Sequence, residues 1–268
     1  SSLFLVRRTP TSRPRIVCDL RKLNNALKLV NRPGTTIKSF CQAFGRGRYL
    51  YVTCVDIKSA YHSIRVTEES RRLLGVVSYP NCSSLRYASL PMGMLSSCSY
   101  FQQSLSYVLD ELPDEFRSNV IFYFDDVLLF SERPGDHLRL LDAVFSLFQL
   151  HGLVLSLEKF QFALKDTIAF LGFEIDVSGP RAPVLAVKKS RVEALLSLQR
   201  PETKKQIKSF LGSCQFIAMF LKNYQLVVQP LTALLRKNVE FVWSEEQEQA
   251  WDAIRALLST PPIIGFPA

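Results

Sequence analysis

Val120-Ile-Phe-Tyr-Phe-Asp-Asp-Val-Leu-Leu-Phe130 is the stretch that decides the fold. Two adjacent carboxylates, Asp125 and Asp126, interrupt an otherwise apolar run. Burying a carboxylate without a partner is costly, so an acid pair here needs a reason. Apolar segments on either side of a two-residue break read as a β-hairpin with the acids at its tip. A tip that opens into a cleft would present both carboxylates to a divalent cation, and oxygen ligands of this kind suit magnesium. Taken alone, the motif is also compatible with an ordinary polar turn.

A second acidic site changes that balance. Val52-Thr-Cys-Val-Asp56-Ile57 reads as another apolar strand carrying one Asp, followed by Lys58-Ser-Ala-Tyr61-His62. Two strands that bring acids to one place can build a two-metal site. Such a site holds its ions about 3.5–4 Å apart and clamps the attacking and leaving oxygens of an in-line phosphoryl transfer.

With these residues in hand, the chain resembles a reverse transcriptase. Tyr123-Phe-Asp-Asp126 is similar to the family signature, and Asp56-Ile-Lys-Ser-Ala-Tyr-His62 resembles its first catalytic motif. Arg15-Ile-Val-Cys-Asp19-Leu-Arg21-Lys-Leu-Asn24 resembles the preceding fingers strand. Leu90-Pro-Met-Gly93-Met-Leu-Ser-Ser-Cys-Ser-Tyr-Phe101-Gln102 resembles the turn and helix under the incoming nucleotide. Gly152-Leu-Val-Leu-Ser-Leu-Glu-Lys159 and Phe170-Leu-Gly-Phe173 resemble later palm motifs. Ser209-Phe-Leu-Gly212 and Phe241-Val-Trp-Ser-Glu-Glu-Gln247 resemble the thumb and the start of the connection. The motifs occur in family order, and the gypsy-type LTR retrotransposon Pol polyprotein is the nearest pattern. The chain departs from it in three places. Ser96-Ser97-Cys98 stands for Asn-Ala-Pro, Ala60 for a glycine, and Ala218-Met219 for an arginine pair. None of these removes a metal ligand.

The resemblance implies an α+β right-hand polymerase fold. It places partial fingers at 1–50 and the palm at 51–180, with a fingers insertion near 65–90. The thumb follows at 181–240, and the start of the connection or ribonuclease H linker at 241–268. Asp56, Asp125 and Asp126, with the Ile57 carbonyl, would hold two magnesium ions, or manganese in their place. Arg8, Arg15, Ser59, Ala60, Tyr61, Met92 and Gly93 would line the deoxynucleoside triphosphate. Tyr61 would exclude a 2′-hydroxyl, a steric form of discrimination. Lys159 would act as general acid or counter-charge for the leaving pyrophosphate. Tyr123, Phe124, Gln102, Leu171, Gly172, Phe173, Lys204, Lys205, Gln206 and Lys208 would meet primer or template. Read without the family, Tyr61 is more often core, the arginines and lysines are surface charges, and Asp19 with Arg21 is a structural pair on one strand face.

The implied activity is RNA-directed DNA polymerisation, extending a DNA primer on an RNA or DNA template. The rival is a catalytically silent, nucleic-acid-binding copy of the same fold. An RNA-copying RNA polymerase shares the acidic hairpin but not a Tyr61 gate. The expected context is a polyprotein that also carries ribonuclease H and integrase domains, with homo- or heterodimerisation open. Its expected location is a cytoplasmic virus-like particle with a nuclear phase. Both ends read as cut from a longer chain.

Composition agrees with a globular chain whose basic charge suits a polyanion or, on charge alone, equally an ordinary soluble basic protein. Of 268 residues, 47% are hydrophobic, and the net charge is +9. Scattered basic pairs suit a long channel, because neutralising phosphates releases counterions. Six cysteines without a CxxC pair, and three histidines without ligand spacing, argue against zinc and for a reducing compartment. No apolar run is long enough for a membrane span.

Periodicity predicts a helix at 97–111, with Tyr100, Phe101, Leu105, Val108 and Leu109 on one face and Ser96 or Ser97 as N-cap. It predicts another at 136–151, with Leu138, Leu141, Phe145 and Phe148 inward and Gly152 as its stop. Beyond about residue 180 the pattern turns helical. Thr203-x-x-Gln206 and Ser244-x-x-Gln247 read as capping boxes. Ile207, Phe210, Leu211, Cys214 and Ile217 would point inward from the first, and Ala250, Trp251, Ile254 and Leu258 from the second.

Overall fold

The computed structural model describes the chain except residues 1, 8, 10–13, 29–35, 45–46, 48, 79–82, 164–166, 179–183, 219 and 260–268. Two compact units divide it, one of Ser1–Phe44 with Tyr51–Phe162, the other of Gly45–Leu50 with Ala163–Ala268. The first runs through β1 (Leu3–Val6), β2 (Arg15–Cys18), α1 (Arg21–Ala26), α2 (Ile37–Phe44), β3 (Tyr51–Asp56), α3 (Ala60–Ser63), α4 (Glu68–Leu73), β4 (Gly75–Ser78) and β5 (Ser83–Arg86). It continues through α5 (Ser97–Leu109), α6 (Asp114–Arg117), β6 (Val120–Tyr123), β7 (Asp126–Ser131), α7 (Pro134–Leu150), a 3-10 turn (Leu157–Lys159) and β8 (Gln161–Ala163).

The expected acidic hairpin is present as β6 and β7, joined by Phe124 and Asp125. It belongs to a four-stranded sheet of order β6-β7-β3-β8. Between Asp126 and Ser131, strand β7 is wholly apolar, Val127 to Phe130, because both of its faces are covered. Val127 and Leu129 point into a core with Phe101, Leu105 and Leu109 of α5 and Leu140, Val144 and Phe148 of α7. Phe130 points the other way, edge-on to Phe44 of α2 at 5.2 Å. Strand β3 lies antiparallel beside β7, with Val55 opposite Val127 and Asp56 opposite Asp126.

Helix α5 matches its expectation, though Tyr100 is exposed and the Ser96 side chain makes no capping bond. Helix α7 needs a correction. Its inward stripe is His137, Leu140, Leu141, Val144 and Phe148, whereas Leu138 is 68% exposed. A histidine sets this phase. His137 is buried between Thr53 Oγ1 at 2.8 Å and Ser131 Oγ at 3.2 Å. Burial pushes its pKa down to about 4, so the ring is neutral and bridges the two hydroxyls. Helices α1 and α2 fall within the stretch 1–50 expected as partial fingers. Helix α2 is opened by Thr36 and Ser39, whose hydroxyls each accept the other's backbone N–H. Asp19 and Arg21 do pair, with Nη2–Oδ2 at 2.6 Å and Nε–Oδ1 at 2.9 Å, but across the β2–α1 junction and not along one strand.

The second unit contains β9 (Thr167–Phe170), β10 (Phe173–Asp176), β11 (Val184–Val187), α8 (Lys189–Leu196), α9 (Lys204–Ala218), α10 (Tyr224–Val227), α11 (Gln229–Ala233) and α12 (Glu245–Ser259). Its sheet has the order β11-β10-β9, so a strand stands where the helical pattern was expected to begin. Helix α9 opens with the expected box. Gln206 N–H donates to Thr203 Oγ1 at 3.3 Å, and Gln206 Oε1 accepts from Thr203 N at 3.1 Å. Ile207, Phe210, Cys214 and Ile217 are buried as expected, and Phe210 packs on Trp251 of α12 at 4.6 Å. Leu211 is only half-buried. Among the described residues no helix is long and apolar enough to cross a membrane.

The phase of α7 gives a direct test. Leu140→Ala should lose about 2–5 kcal/mol of unfolding free energy, the scale of a core cavity. Leu138→Ala should change it by less than about 0.5 kcal/mol. Urea unfolding of the two variants measures the difference; equal losses would restore the phase with Leu138 inward.

Candidate active site

The chemistry gathers at the open end of the β3–β7 pair. Asp56 ends β3 and Asp126 begins β7, directly across from it. Asp125 fills the hairpin tip and accepts the Ile57 N–H on its carbonyl oxygen at 2.8 Å. Register therefore brings three carboxylates to one place. Asp56 is buried; Asp125 and Asp126 are half-buried. The Asp126 pKa is pushed up to about 6, first by burial and then by the Asp125 and Asp56 charges, with Lys159 partly opposing. Two residues before Asp56, the Cys54 thiol is pushed up to about 12, chiefly by burial and further by Asp126 and Asp56.

Lys159 reaches this cluster from the 3-10 turn, its Nζ 2.6 Å from Asp56 Oδ1. That hydrogen bond is the main cause of its raised pKa. Ser156 N–H donates to the Asp56 carbonyl at 2.8 Å, and Lys58 N–H to the Val154 carbonyl at 2.7 Å, which fixes the turn beside β3. Phe124 at the hairpin tip has φ 55°, and Ser59, after the β3 end, has φ 54°. Side chains held in this left-handed region store strain, of order 1–3 kcal/mol each, and such residues cluster at functional sites. Tyr123 and Phe124 pack edge to face at 4.3 Å.

Asp56, Ile57, Ser59, Ala60, Tyr61, Met92, Asp125 and Lys159 line one cleft of 670 Å³ with β2 as another wall. Of the sequence-derived nucleotide residues, Ser59, Ala60, Tyr61 and Met92 are thus brought together, Gly93 does not itself line the cleft, and Arg8 lies outside the described residues. Arg15 belongs to β2, but its side chain also lies outside them. Tyr61 packs T-shaped against Phe101 at 5.9 Å and donates its hydroxyl to Cys98 Sγ at 3.5 Å. Burial raises its pKa. Met92 is exposed, and Gly93 has φ 89°, a conformation glycine adopts without cost.

The sequence gives no role to Asn24, yet Asn24 anchors the Met92–Gly93 turn. Its Nδ2 donates to the Gly93 carbonyl at 3.0 Å, and its Oδ1 accepts from Leu95 N at 2.8 Å. Ser97 Oγ adds a bond to the Pro91 carbonyl at 2.8 Å. Gln102 is half-buried on α5.

The remaining expected contacts lie in the second unit. Leu171 and Gly172 form the two-residue β9–β10 turn with φ 54° and 79°, as a type I′ hairpin requires. A Cβ on Gly172 would stand 2.7 Å from the movable Arg191 Nη1 and 3.3 Å from Phe216, and the positive φ is what favours glycine here. Phe173, expected at the primer, instead has its ring fully buried and stacked on Phe216 at 4.5 Å. The period-two alternation of β10 turns it inward with Ile175. Lys204 Nζ donates to the Val239 carbonyl, and to that of Arg236 at 3.3 Å, whereas Lys205, Gln206 and Lys208 are exposed.

Three hard oxygen donors at mutual charge repulsion match a divalent cation in kind and in backbone register. As the side chains stand, no three His, Cys, Asp or Glu among the described residues already form a ligand set. Binding would therefore require these carboxylates to converge, with Lys159 yielding Asp56 Oδ1.

Comparison with known proteins follows the same residues. A family model described as "Reverse transcriptase (RNA-dependent DNA polymerase)" matches residues 7–175. The retrovirus-related Pol polyprotein from transposon gypsy of Drosophila melanogaster is 27% identical over 93% of this chain. The transposon Tf2-3 polyprotein of Schizosaccharomyces pombe is 26% identical over 93%. The chain spans 24% and 18% of these relatives' lengths. The foamy viral protease–reverse transcriptase solved with dsDNA superposes with TM-score 0.81 at 21% identity, over 99% of this chain and 53% of that one. The form solved with an RNA/DNA hybrid gives TM-score 0.75 at 22% identity, over 98% of this chain and 34% of that one. The fold is thus the expected α+β polymerase fold.

The raised Asp126 pKa has a signed consequence. Between about pH 4 and 6 the folded state holds a proton that the unfolded state has released, so stability falls as pH rises through that window. Above it, Asp126→Asn removes a crowded negative charge and should stabilise the metal-free protein by about 1 kcal/mol, after discounting for solvent at the half-buried carboxylate. The gain should vanish near pH 4. Chemical denaturation with a chelator at pH 8 and pH 4 checks it; a loss at pH 8 would show that Asp126 is stabilised, not strained, by its neighbours.

Proposed function

The chain belongs to the reverse transcriptase (RNA-dependent DNA polymerase) family, and we propose that it extends a DNA primer on an RNA or DNA template by nucleotidyl transfer from deoxynucleoside triphosphates. The observation that carries this reading is the placement of Asp56 opposite Asp126, with Asp125 at the tip, beside a cleft that also holds Tyr61, Met92 and Lys159. Folding alone gives no reason to collect three acids whose charges oppose one another.

Asp56, Asp125 and Asp126 are the residues that would hold magnesium, with manganese as a substitute and the Ile57 carbonyl as a further oxygen. When bound, such ions supply charge neutralisation for the triphosphate and a lowered pKa for the primer hydroxyl. The chain's own groups position the reactants. The Met92–Gly93 turn, tied down by Asn24, offers a rigid floor to base and sugar. Tyr61 walls the cleft where a ribose 2′-hydroxyl would intrude. Lys159 is held protonated by its bond to Asp56, which suits a counter-charge for pyrophosphate better than a proton donor. The backbone of Leu171–Gly172, together with Lys205, Gln206 and Lys208, would meet the primer–template duplex through backbone and shape. Tyr123, Phe124 and Gln102 complete the contacts on the first unit.

The wider setting we propose is a Pol polyprotein, the kind of protein the relatives' names describe, with ribonuclease H and integrase domains beside this one, homo- or heterodimerisation open, and a cytoplasmic virus-like particle with a nuclear phase. A catalytically silent copy that only binds duplex is the outcome the test must separate.

Asp56→Asn and Asp125→Asn should each lower primer extension by roughly a hundredfold or more. Duplex binding should change little, since each substitution only removes negative charge. Extension and filter-binding assays on the same preparations check both parts. Full extension by either folded variant would remove that carboxylate from the site, and no extension by the wild-type chain would leave only the binding reading.

A further inference from the structure

Tyr61 is held at both ends of its ring. It packs T-shaped against Phe101, which is fully buried in the core shared with Val127 and Leu129. Its hydroxyl donates to Cys98 Sγ at 3.5 Å, across a sequence separation of 37 residues. Gln102 Nε2, one turn further along α5, approaches the same sulfur from its own side at 3.9 Å. The sulfur is therefore a small hub that ties the α3 aromatic to the first turns of α5. Cys98 is the only one of the five described cysteines that is not buried, so its thiol is not simply core filling.

We propose that Cys98 is a positioning residue for nucleotide selection, holding the Tyr61 ring against the cleft at the place where it discriminates the sugar. The inference rests on the polymerase reading above and deepens it. The physical argument is one of distance. A ring that excludes a hydroxyl group by contact works only while its position is defined to a fraction of an ångström. The Phe101 contact limits how far the ring swings, and the bond to sulfur limits how far it tilts. Sulfur accepts at longer range than oxygen does, where O–H···O bonds centre near about 2.8 Å. It thus sets the hydroxyl farther from α5 than an oxygen acceptor would. Cys98 supplies the sulfur acceptor and so adds a restraint on Tyr61 to the one Phe101 provides.

A double-mutant cycle of Tyr61→Phe and Cys98→Ala tests this, because it isolates a pairwise term from the separate effects of each change. The first readout is melting temperature without nucleotide. The second is the ratio of kcat/KM for deoxy- over ribonucleotide in primer extension by the full chain. Cys98→Ala should lower that ratio roughly fivefold, the scale of one hydrogen bond. Cys98→Ser should recover part of the loss. In the Tyr61→Phe background, which has no hydroxyl to hold, Cys98→Ala should leave the ratio unchanged. The melting shifts of the two single variants should likewise fail to add.

An unchanged ratio in Cys98→Ala, or an equal drop in both backgrounds, would overturn the positioning role while the wild type still extends primers. Additive melting shifts would overturn the contact itself. A wild-type chain that extends no primer would overturn the polymerase reading, and this inference with it.

Discussion

Like charges facing one another across a strand pair are the constraint on which the site depends. Asp56 and Asp126 are directly opposed in the β3–β7 ladder, and opposed like charges destabilise a sheet. The strands tolerate this because the positions behind the acids are buried, and apolar but for Thr53 and Ser131, which are satisfied by His137. Leu128, Leu129 and Phe130 are fully buried, and Phe101, Leu105 and Phe148 close the helical side. The core holds the register, and the register places the acids. The cost appears where burial and neighbouring charge push the Asp126 pKa up to about 6.

The same core lets the surrounding turns adopt conformations that would not persist in isolation. Phe124 and Ser59, both with positive φ, flank the acids on the two strands. The Met92–Gly93 turn is pinned by Asn24 from the β2–α1 region, 69 residues away in sequence from Gly93. Tyr61 is pinned from α5. In the second unit, Leu171–Gly172 forms a tight turn against Arg191 and Phe216. In each case a rigid apolar element positions a short polar or strained segment, so the chemistry sits on few residues and the rigidity on many.

Much of this was legible in the sequence, and the failures have physical causes. The hairpin, the Asp56 strand, helix α5 and the Thr203–Gln206 cap all follow from local pattern and are found. Helix α2 was missed because its cap uses Thr36 and Ser39 in place of the usual acid or amide. The phase of α7 was misread with Leu138 inward because the buried hydroxyls of Thr53 and Ser131, the first far away in sequence, draw His137 in. Phe173 was placed at a primer although the alternation of β10 already turns it inward. Asn24 and Cys98 act through partners far away in sequence, and no local pattern announces such pairs. The acids were found because a charge in an apolar run stands out at once.

The central claim is that Asp56, Asp125 and Asp126 form one divalent-cation site. Diffraction at the manganese absorption edge tests it most directly, on crystals of the protein with primer–template, a non-extendable primer end and a deoxynucleoside triphosphate, grown in Mn2+. The account predicts anomalous peaks bridging these three carboxylates and the triphosphate, with Lys159 displaced from Asp56. Manganese bound elsewhere, with Lys159 still on Asp56 and the three carboxylates free of metal, would contradict it.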